Sequence, residues 1–188
     1  MITSCKFRLN AILAILVLFL ATAGNAWGEP ISIRYAGSGF DTATDNFDDG
    51  LRVNISVAQA KGSFGATRTE VAAEFMEPIE EFDCNDGYGL KLGVLYSAPV
   101  ITFEKLDQLL GFSWQTGWMC VNTDTGHYYG QIEGIFRGGT GRFANATGTW
   151  VTDFEGFDLE PPFLIPNPSG FRSFSGVFKG NVDLHYTE

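Results

Sequence analysis

Two glutamates occur at a spacing that could support acid–base chemistry. Glu70 and Glu74 lie two alternation steps apart in the strand-like segment Thr67 to Met76, so both project from one face. If that face points into a closed interior, a desolvated carboxyl could act as acid, base or ligand anchor. The alternative is that this face is the solvated outer one, where charged side chains usually lie. Glu70 and Glu74 are the candidate catalytic residues.

Aromatic side chains supply candidates for ligand binding. Trp114 and Trp118 fall on one face of the alternating segment Phe112 to Val121, and Tyr128 begins the next alternating segment. Cavities that bind small molecules are mostly lined by apolar and aromatic side chains with a few polar groups. We therefore expect Trp114, Trp118 and Tyr128 to contact a small apolar or aromatic ligand.

An acidic stretch raises the question of a metal site. It contains four aspartates: Asp41, Asp45, Asp48 and Asp49. The calcium-loop pattern, counted from Asp45, fails at its third and twelfth positions, which are Phe47 and Ser56. A looser oxygen site with Asp45 and Asp49 as ligands stays open, and the alternative is a solvated acidic turn. No metal and no cofactor are expected as constituents of the protein.

The first 26 residues predict a signal peptide. Lys6 and Arg8 precede an apolar run from Ala11 to Ala23, and small residues lead up to Ala26. The run is shorter than the roughly 20 residues that span a bilayer, so a retained anchor is the weaker alternative. We expect cleavage after Ala26, a single domain over residues 27–188, and a secreted or periplasmic product without membrane attachment.

Charge and cysteine content narrow the function further. Loss of Lys6 and Arg8 changes the net charge from −10 to −12, which repels nucleic acid and anionic lipid. The mature chain keeps Cys84 and Cys120, and two cysteines in an oxidising compartment predict one disulfide. The alternative is a pair of buried free thiols. The sequence offers no basis for an oligomeric state.

Strand-like segments with short connections dominate the mature chain. Glycine is abundant, with 23 in the full sequence, and valine, isoleucine, threonine and phenylalanine alternate with polar residues. Eight or nine strands result, which suits either a barrel or a sandwich. A barrel is favoured because closure removes exposed edges. The predicted fold is all-β, an eight-stranded antiparallel barrel.

A glycine-rich corner between two of these segments organises the prediction. Its expected structural residues are Gly138, Gly139, Gly141, Arg142, Phe143 and Gly148. Glycines allow backbone conformations that a Cβ would obstruct, whereas we expect Arg142 to bind loop carbonyls and Phe143 to enter the core. The segment also fits a dinucleotide fingerprint, but a strand follows it where that site requires a helix N-terminus.

The corner carries a family resemblance. The pattern Gly-Gly-Thr-Gly-Arg-Phe-Ala-x-Ala-Thr-Gly over residues 138–148 resembles a turn of the allene oxide cyclase and dirigent-like barrels, especially small exported bacterial members. Residues 61–65 and 84–125 are similar more loosely. The resemblance implies an eight-stranded antiparallel barrel. Plant allene oxide cyclases cyclise a fatty-acid epoxide with a bound water and an interior glutamate, and dirigent proteins orient phenoxy radicals. No local motif assigns either active site to residues of this chain.

Three functions follow as hypotheses. The first is an exported barrel that binds a small apolar or aromatic ligand in its lumen. The second is a cyclase or isomerase that uses an interior carboxylate, with Glu70 or Glu74 in that role. The third is an envelope protein that binds a partner through its outer surface. Asn54 and Asn145 begin glycan acceptor sequons, whose use depends on the source of the protein.

Overall fold

The structure is a computed structural model that describes part of the chain. The described residues are 28–42, 52–75, 84, 89–122, 124–158 and 171–185. The predicted signal peptide over residues 1–26 lies outside these ranges. So do the candidate metal ligands Asp45 and Asp49.

Nine strand segments make up the described structure, and all pair in antiparallel fashion. They are β1 Glu29–Thr42, β2 Arg52–Gly62, β3 Ala66–Phe75, β4 Leu90–Phe103, β5 Gln108–Trp114, β6 Gly117–Val121, β7 His127–Gly139, β8 Thr147–Asp158 and β9 Phe171–Asp183. In β7 and β8, buried positions recur at every second residue over much of the strand, the period expected of strands with one face in a core.

The sheet closes on itself. Its order is β3-β2-β1-β9-β8-β7-β5-β4-β6, and additional pairings join β3 to β4 and β6 to β7. Strands β5 and β6 both run between β4 and β7, so they are two halves of one position in the barrel. Nine segments therefore fill eight positions, and the predicted eight-stranded antiparallel barrel is confirmed.

The break between β5 and β6 coincides with an irregularity in β4. Gln115 has a positive φ of 54°, and its N–H donates to the carbonyl of Leu95 at 2.8 Å. The register between β3 and β4 shifts at Leu95, because Glu74 pairs with Tyr96 while Phe75 pairs with Val94. Adjacent bulges of this kind increase the local bend, which helps a sheet to close.

Strand β4 contains a proline in its interior. Pro99 is buried inside β4 and lies opposite Val71 of β3. Pairing between β4 and β5 skips Ala98 and Pro99: Ser97 pairs with Ser113, and the next pair is Val100 with Leu110. Proline is tolerated here because its missing N–H falls in that gap.

One end of the barrel, where the turns at residues 63–65, 104–107 and 140–146 meet, is packed with aromatic rings; we call it the lower end. Phe103 and Phe143 lie with ring centres 4.5 Å apart, and Phe64 meets Phe143 edge-on at 5.7 Å. All three come from the turns or strand ends that meet at this end of the molecule. The guanidinium of Arg142 lies 5.0 Å from the ring centre of Phe143. The lower end is thus a closed hydrophobic plug.

The glycine-rich corner holds this plug in place. Gly141–Phe143 forms a short 3₁₀ turn, and the N–H of Gly138 donates to the carbonyl of Ala146 at 2.7 Å. Phe143 is fully buried. Arg142 donates to the carbonyl of Phe64 at 2.8 Å and lies 3.3 Å from the Asp107 carboxylate.

A disulfide joins the barrel to a residue outside its strands. Cys84 and Cys120 lie within bonding distance, with Cα atoms 5.8 Å apart, and both are buried. The predicted pairing is supported. Cys120 belongs to the outer face of β6, so Cys84 covers the wall from outside. Within the described ranges, no helix has the length and apolar character needed to cross a bilayer.

Candidate ligand-binding site

The upper part of the lumen contains a cavity of about 70 Å³. Its apolar wall comprises Val71, Ala73, Met119, Ile132, Phe154, Phe174 and Phe178. Its polar wall comprises Tyr35, Asn54, Ser56, Ser97, Tyr128, Thr152 and Arg172. Strand alternation explains the set, because each residue occupies an inward position of its strand.

Tyr35 and Thr152 form a buried polar contact across the lumen. The phenolic oxygen of Tyr35 lies 2.7 Å from Oγ1 of Thr152, which also donates to the carbonyl of Val177 at 3.2 Å. Burial raises the pKa of Tyr35 to about 12; the hydrogen bond with Thr152 opposes this and nearby Asp153 adds to it. Tyr35 is therefore protonated at neutral pH.

Tyr128 lies in the lumen, over a glycine of the neighbouring strand. Its hydroxyl donates to the carbonyl of Ser173 at 3.0 Å. A Cβ at Gly156 would lie 2.6 Å from Cζ of this ring. The ring of Tyr128 therefore fits here only because Gly156 has no side chain.

Arg172, the charged residue of the polar wall, forms an ion pair with Asp158. Asp158 and Arg172 lie opposite each other on β8 and β9, with Oδ1 and Nε 2.8 Å apart. Their side chains are only 8% and 6% exposed, and the Arg172 guanidinium lies 5.5 Å from the ring centre of Tyr128. Neither residue was among those predicted from the sequence, although both continue the inward alternation of their strands. Residues 159–170, a proline-rich stretch, separate them in the sequence. Alternation within each strand does not show which residues of the two strands lie opposite each other.

Of the two predicted catalytic glutamates, Glu70 is not part of this cavity. Glu70 lies on the outer face of β3, where it forms an ion pair with Arg68 and its side chain is 40% exposed. Glu74 belongs to the same strand, opposite Val53 of β2 and Tyr96 of β4, and its side chain lies outside the described part of the structure. The role of lumen carboxylate does not fit the position of Glu70, because the alternation of β3 directs Val71 and Ala73 inward.

The two predicted tryptophans also face outward. Trp114 is 55% exposed, and Trp118 contacts Tyr129 on the outer side of β6 and β7. The expectation that they line the lumen is wrong, because Ser113 and Met119 take the inward positions beside them. Of the three predicted ligand-binding aromatics, the cavity contains Tyr128.

The chemistry of the cavity is that of a binding site with hydroxyl donors and one neutralised ion pair. Among the described residues, no group of three or more histidine, cysteine, aspartate or glutamate side chains is arranged to hold a metal ion. The polar atoms can accept and donate hydrogen bonds to a small molecule, whereas the phenylalanine and methionine side chains offer it apolar contact.

Fold and cavity together define the class of the molecule: a closed antiparallel barrel, plugged at one end and amphiphilic inside at the other. No protein-family model, curated protein or solved structure matches the chain. The resemblance of its corner to allene oxide cyclase and dirigent-like barrels stays a prediction.

Proposed function

We propose that the protein is an exported barrel that binds one small ligand in the cavity at its upper end. The supporting observation is the division of the cavity wall. Apolar side chains such as Met119 and Phe154 form one part, and hydroxyls such as Ser97 and Ser56 form the other. A molecule with an apolar or aromatic body and one polar group matches both parts.

The size of the cavity limits the ligand. About 70 Å³ is room for roughly five water molecules, at some 10–15 Å³ each. A single ring or a short branched chain fits this space. A long acyl chain does not fit within it unless side chains move.

The electrostatics of the cavity favour a neutral polar group on the ligand. Asp158 already neutralises the charge of Arg172, so an anionic ligand would compete with an existing carboxylate. A hydroxyl or carbonyl, by contrast, can exchange hydrogen bonds with serine and tyrosine hydroxyls without displacing the pair. Small phenols and short alcohols are the preferred class.

Native mass spectrometry of the protein purified from its own host, together with thermal shifts across a panel of small phenols and alcohols, tests the proposal. Filling the cavity by Ala73→Leu should abolish ligand binding, and Ser97→Val should weaken it. Ala36→Leu, on the exposed outer face of β1, is the matched control. Absence of any co-purifying molecule and of any thermal shift would overturn the proposal. Equal binding by the Ala73→Leu and Ala36→Leu proteins would do the same.

A cyclase or isomerase is the second candidate, and the observation that favours it is the buried carboxylate of Asp158 rather than Glu70. Asp158 lies beside Arg172, which lines the cavity. If the protein converts its ligand, Asp158→Asn should retain binding and lose turnover, as followed by product analysis. Unchanged turnover in that variant would eliminate this candidate.

Export is part of the proposal and has its own test. N-terminal sequencing of the protein recovered from its host should begin at Trp27, after cleavage behind Ala26. Recovery of the intact N-terminus from the cell interior would contradict it.

A further inference from the structure

A groove of about 710 Å³ crosses the outer face of the barrel, on strands β6, β7, β8, β9 and β1. Its central row follows the sheet register directly. Trp118 pairs with Gln131, Gln131 with Asp153, Asp153 with Val177, and Val177 with Arg34. Four strand spacings separate the ends of the row, a length of roughly 19 Å at about 4.8 Å per spacing. The volume lies in the range of small-molecule sites.

Aromatic rings form one end of the groove. The rings of Trp118 and Tyr129 are perpendicular, at 89°, with centres 5.8 Å apart. The ammonium of Lys91 lies 5.3 Å from the centre of the Trp118 ring. Both rings are half-buried, so each combines apolar surface with a polar tip, the property that makes tryptophan and tyrosine frequent at binding surfaces.

The rest of the groove carries both hydrogen-bond donors and hydrogen-bond acceptors. Gln131 donates to Oδ1 of Asp153 at 2.7 Å, which fixes the orientation of that carboxylate. Glu155 follows on the same face of β8, and Arg34 closes the far end of the row. Carboxylates accept hydrogen bonds, whereas guanidinium and amide groups donate them. Neither sign of charge dominates the groove.

We infer that this groove is a second binding site and that its ligand is a short neutral oligosaccharide. A sugar ring offers an apolar C–H face to Trp118 and Tyr129, and its hydroxyls can bond to Asp153, Glu155 and Arg34. A polyanion is disfavoured by the carboxylates and by the net charge of −10. A polycation is disfavoured by Arg34 and Lys91. A purely apolar ligand would remove Gln131, Asp153 and Arg34 from water without replacing their hydrogen bonds.

Titration of ¹⁵N-labelled mature protein with cellotetraose, chitotetraose, maltotetraose and xylotetraose tests the inference. The chain has four tryptophans, so their indole N–H signals can be assigned by substitution. A neutral tetrasaccharide should shift the Trp118 signal and leave the Trp114 signal in place. Trp118→Ala should weaken binding about tenfold, and Trp114→Ala should change it by less than about twofold. Trp114 is the matched control, since it is exposed on the same barrel outside the groove.

A second variant keeps the test decisive if Trp118→Ala fails to fold. Asp153→Asn preserves the side-chain shape and should weaken binding through the lost acceptor, with circular dichroism verifying the fold. The inference is overturned if no tetrasaccharide shifts Trp118 at millimolar concentration, or if tetragalacturonate or spermidine binds there instead. Binding unaffected by both variants also overturns it. A ligand in the lumen does not contact Trp114 or Trp118, so it does not shift their indole signals by contact. The proposal for the groove and the proposal for the lumen can therefore fail independently.

Discussion

At the scale of single residues, the cavity depends on rings placed over glycines of neighbouring strands. Tyr128 lies over Gly156, and Tyr35 lies over Gly176, where an added Cβ would come within 2.5 Å of Cζ of the Tyr35 ring. Inside a barrel, large and small side chains must alternate between adjacent strands to fill the narrow interior. Two phenols can therefore be buried in one small lumen with their hydroxyls bonded to Thr152 and to the carbonyl of Ser173.

Tyr35 predicts a loss of stability at high pH. Its pKa is raised to about 12 in the folded protein and is about 10 when unfolded. The stabilisation that comes from this pKa difference is fully present below pH 10. It is lost as pH rises from 10 through 12, because in that range the unfolded state loses the phenolic proton and the folded state keeps it. The full effect is about 3 kcal/mol.

Urea unfolding measured from pH 8 to 11 checks this prediction. The stability advantage of the natural protein over Tyr35→Phe should shrink as pH rises above 10. An advantage that is constant over this range would show that Tyr35 does not titrate differently in the two states.

The ion pair between Asp158 and Arg172 should be far more sensitive to substitution than a surface pair. Asp158→Asn leaves the buried guanidinium without this carboxylate and should lower the free energy of unfolding by about 3 kcal/mol. The control is Asp153→Asn, since Asp153 and Lys179 lie 3.9 Å apart and are 55% and 61% exposed. Its effect should stay below about 1 kcal/mol. Equal losses in the two variants, measured by denaturant unfolding, would refute the argument.

At the scale of elements, the glycine-rich corner connects the plug to two strands. Three of its glycines have positive φ values: Gly138 at 83°, Gly141 at 55° and Gly148 at 141°. Gly148 also runs close to β9, where a Cβ would collide with the carbonyl of Asn181. The corner thus requires glycine for conformation and for close approach of the backbone.

Gly148→Ala should therefore destabilise the barrel by about 2 kcal/mol or more, through strained backbone and separation of β8 from β9. Ala144→Gly, in the exposed part of the same corner, is the control and should cost less than about 1 kcal/mol. Thermal unfolding of both variants measures the difference. A Gly148→Ala protein as stable as the control would exclude this role.

In strand β2 the more apolar face is not the face that points into the barrel. Val53, Ile55 and Val57 form the more apolar face of β2, yet Ile55 and Val57 are exposed while Ser56 and Ala58 are buried. The lumen at this point already contains Tyr35 and Phe178, whose rings lie 5.4 Å apart. Small side chains must face it, because larger ones would exceed the available volume.

At the scale of the whole molecule, closure brings the two ends of the described chain together. Glu29 pairs with Val182, so β1 lies beside β9 along nearly its full length. The last barrel contact therefore joins strands far apart in sequence. Both edges that an open sheet would expose are removed by this one pairing.

A circular permutant should consequently fold. Joining His185 to Gly28 by a short glycine linker and opening the chain at Leu106, an exposed turn residue, preserves every strand pair. The far-ultraviolet circular dichroism should match that of the natural protein. Opening the chain at Thr152, inside β8, should instead yield aggregated protein. Failure of the first permutant together with success of the second would contradict the described topology.

What the sequence determined by itself was local: strands from period-two alternation, a corner from glycine and phenylalanine, and a disulfide from cysteine count and predicted compartment. These follow from steric rules and short-range chemistry that each segment carries with it. The tertiary structure decided which face of each strand points inward. It turned Trp114, Trp118 and Glu70 outward and brought Asp158 against Arg172. Alternation has two equivalent phases, and only the shared volume of the closed lumen selects between them.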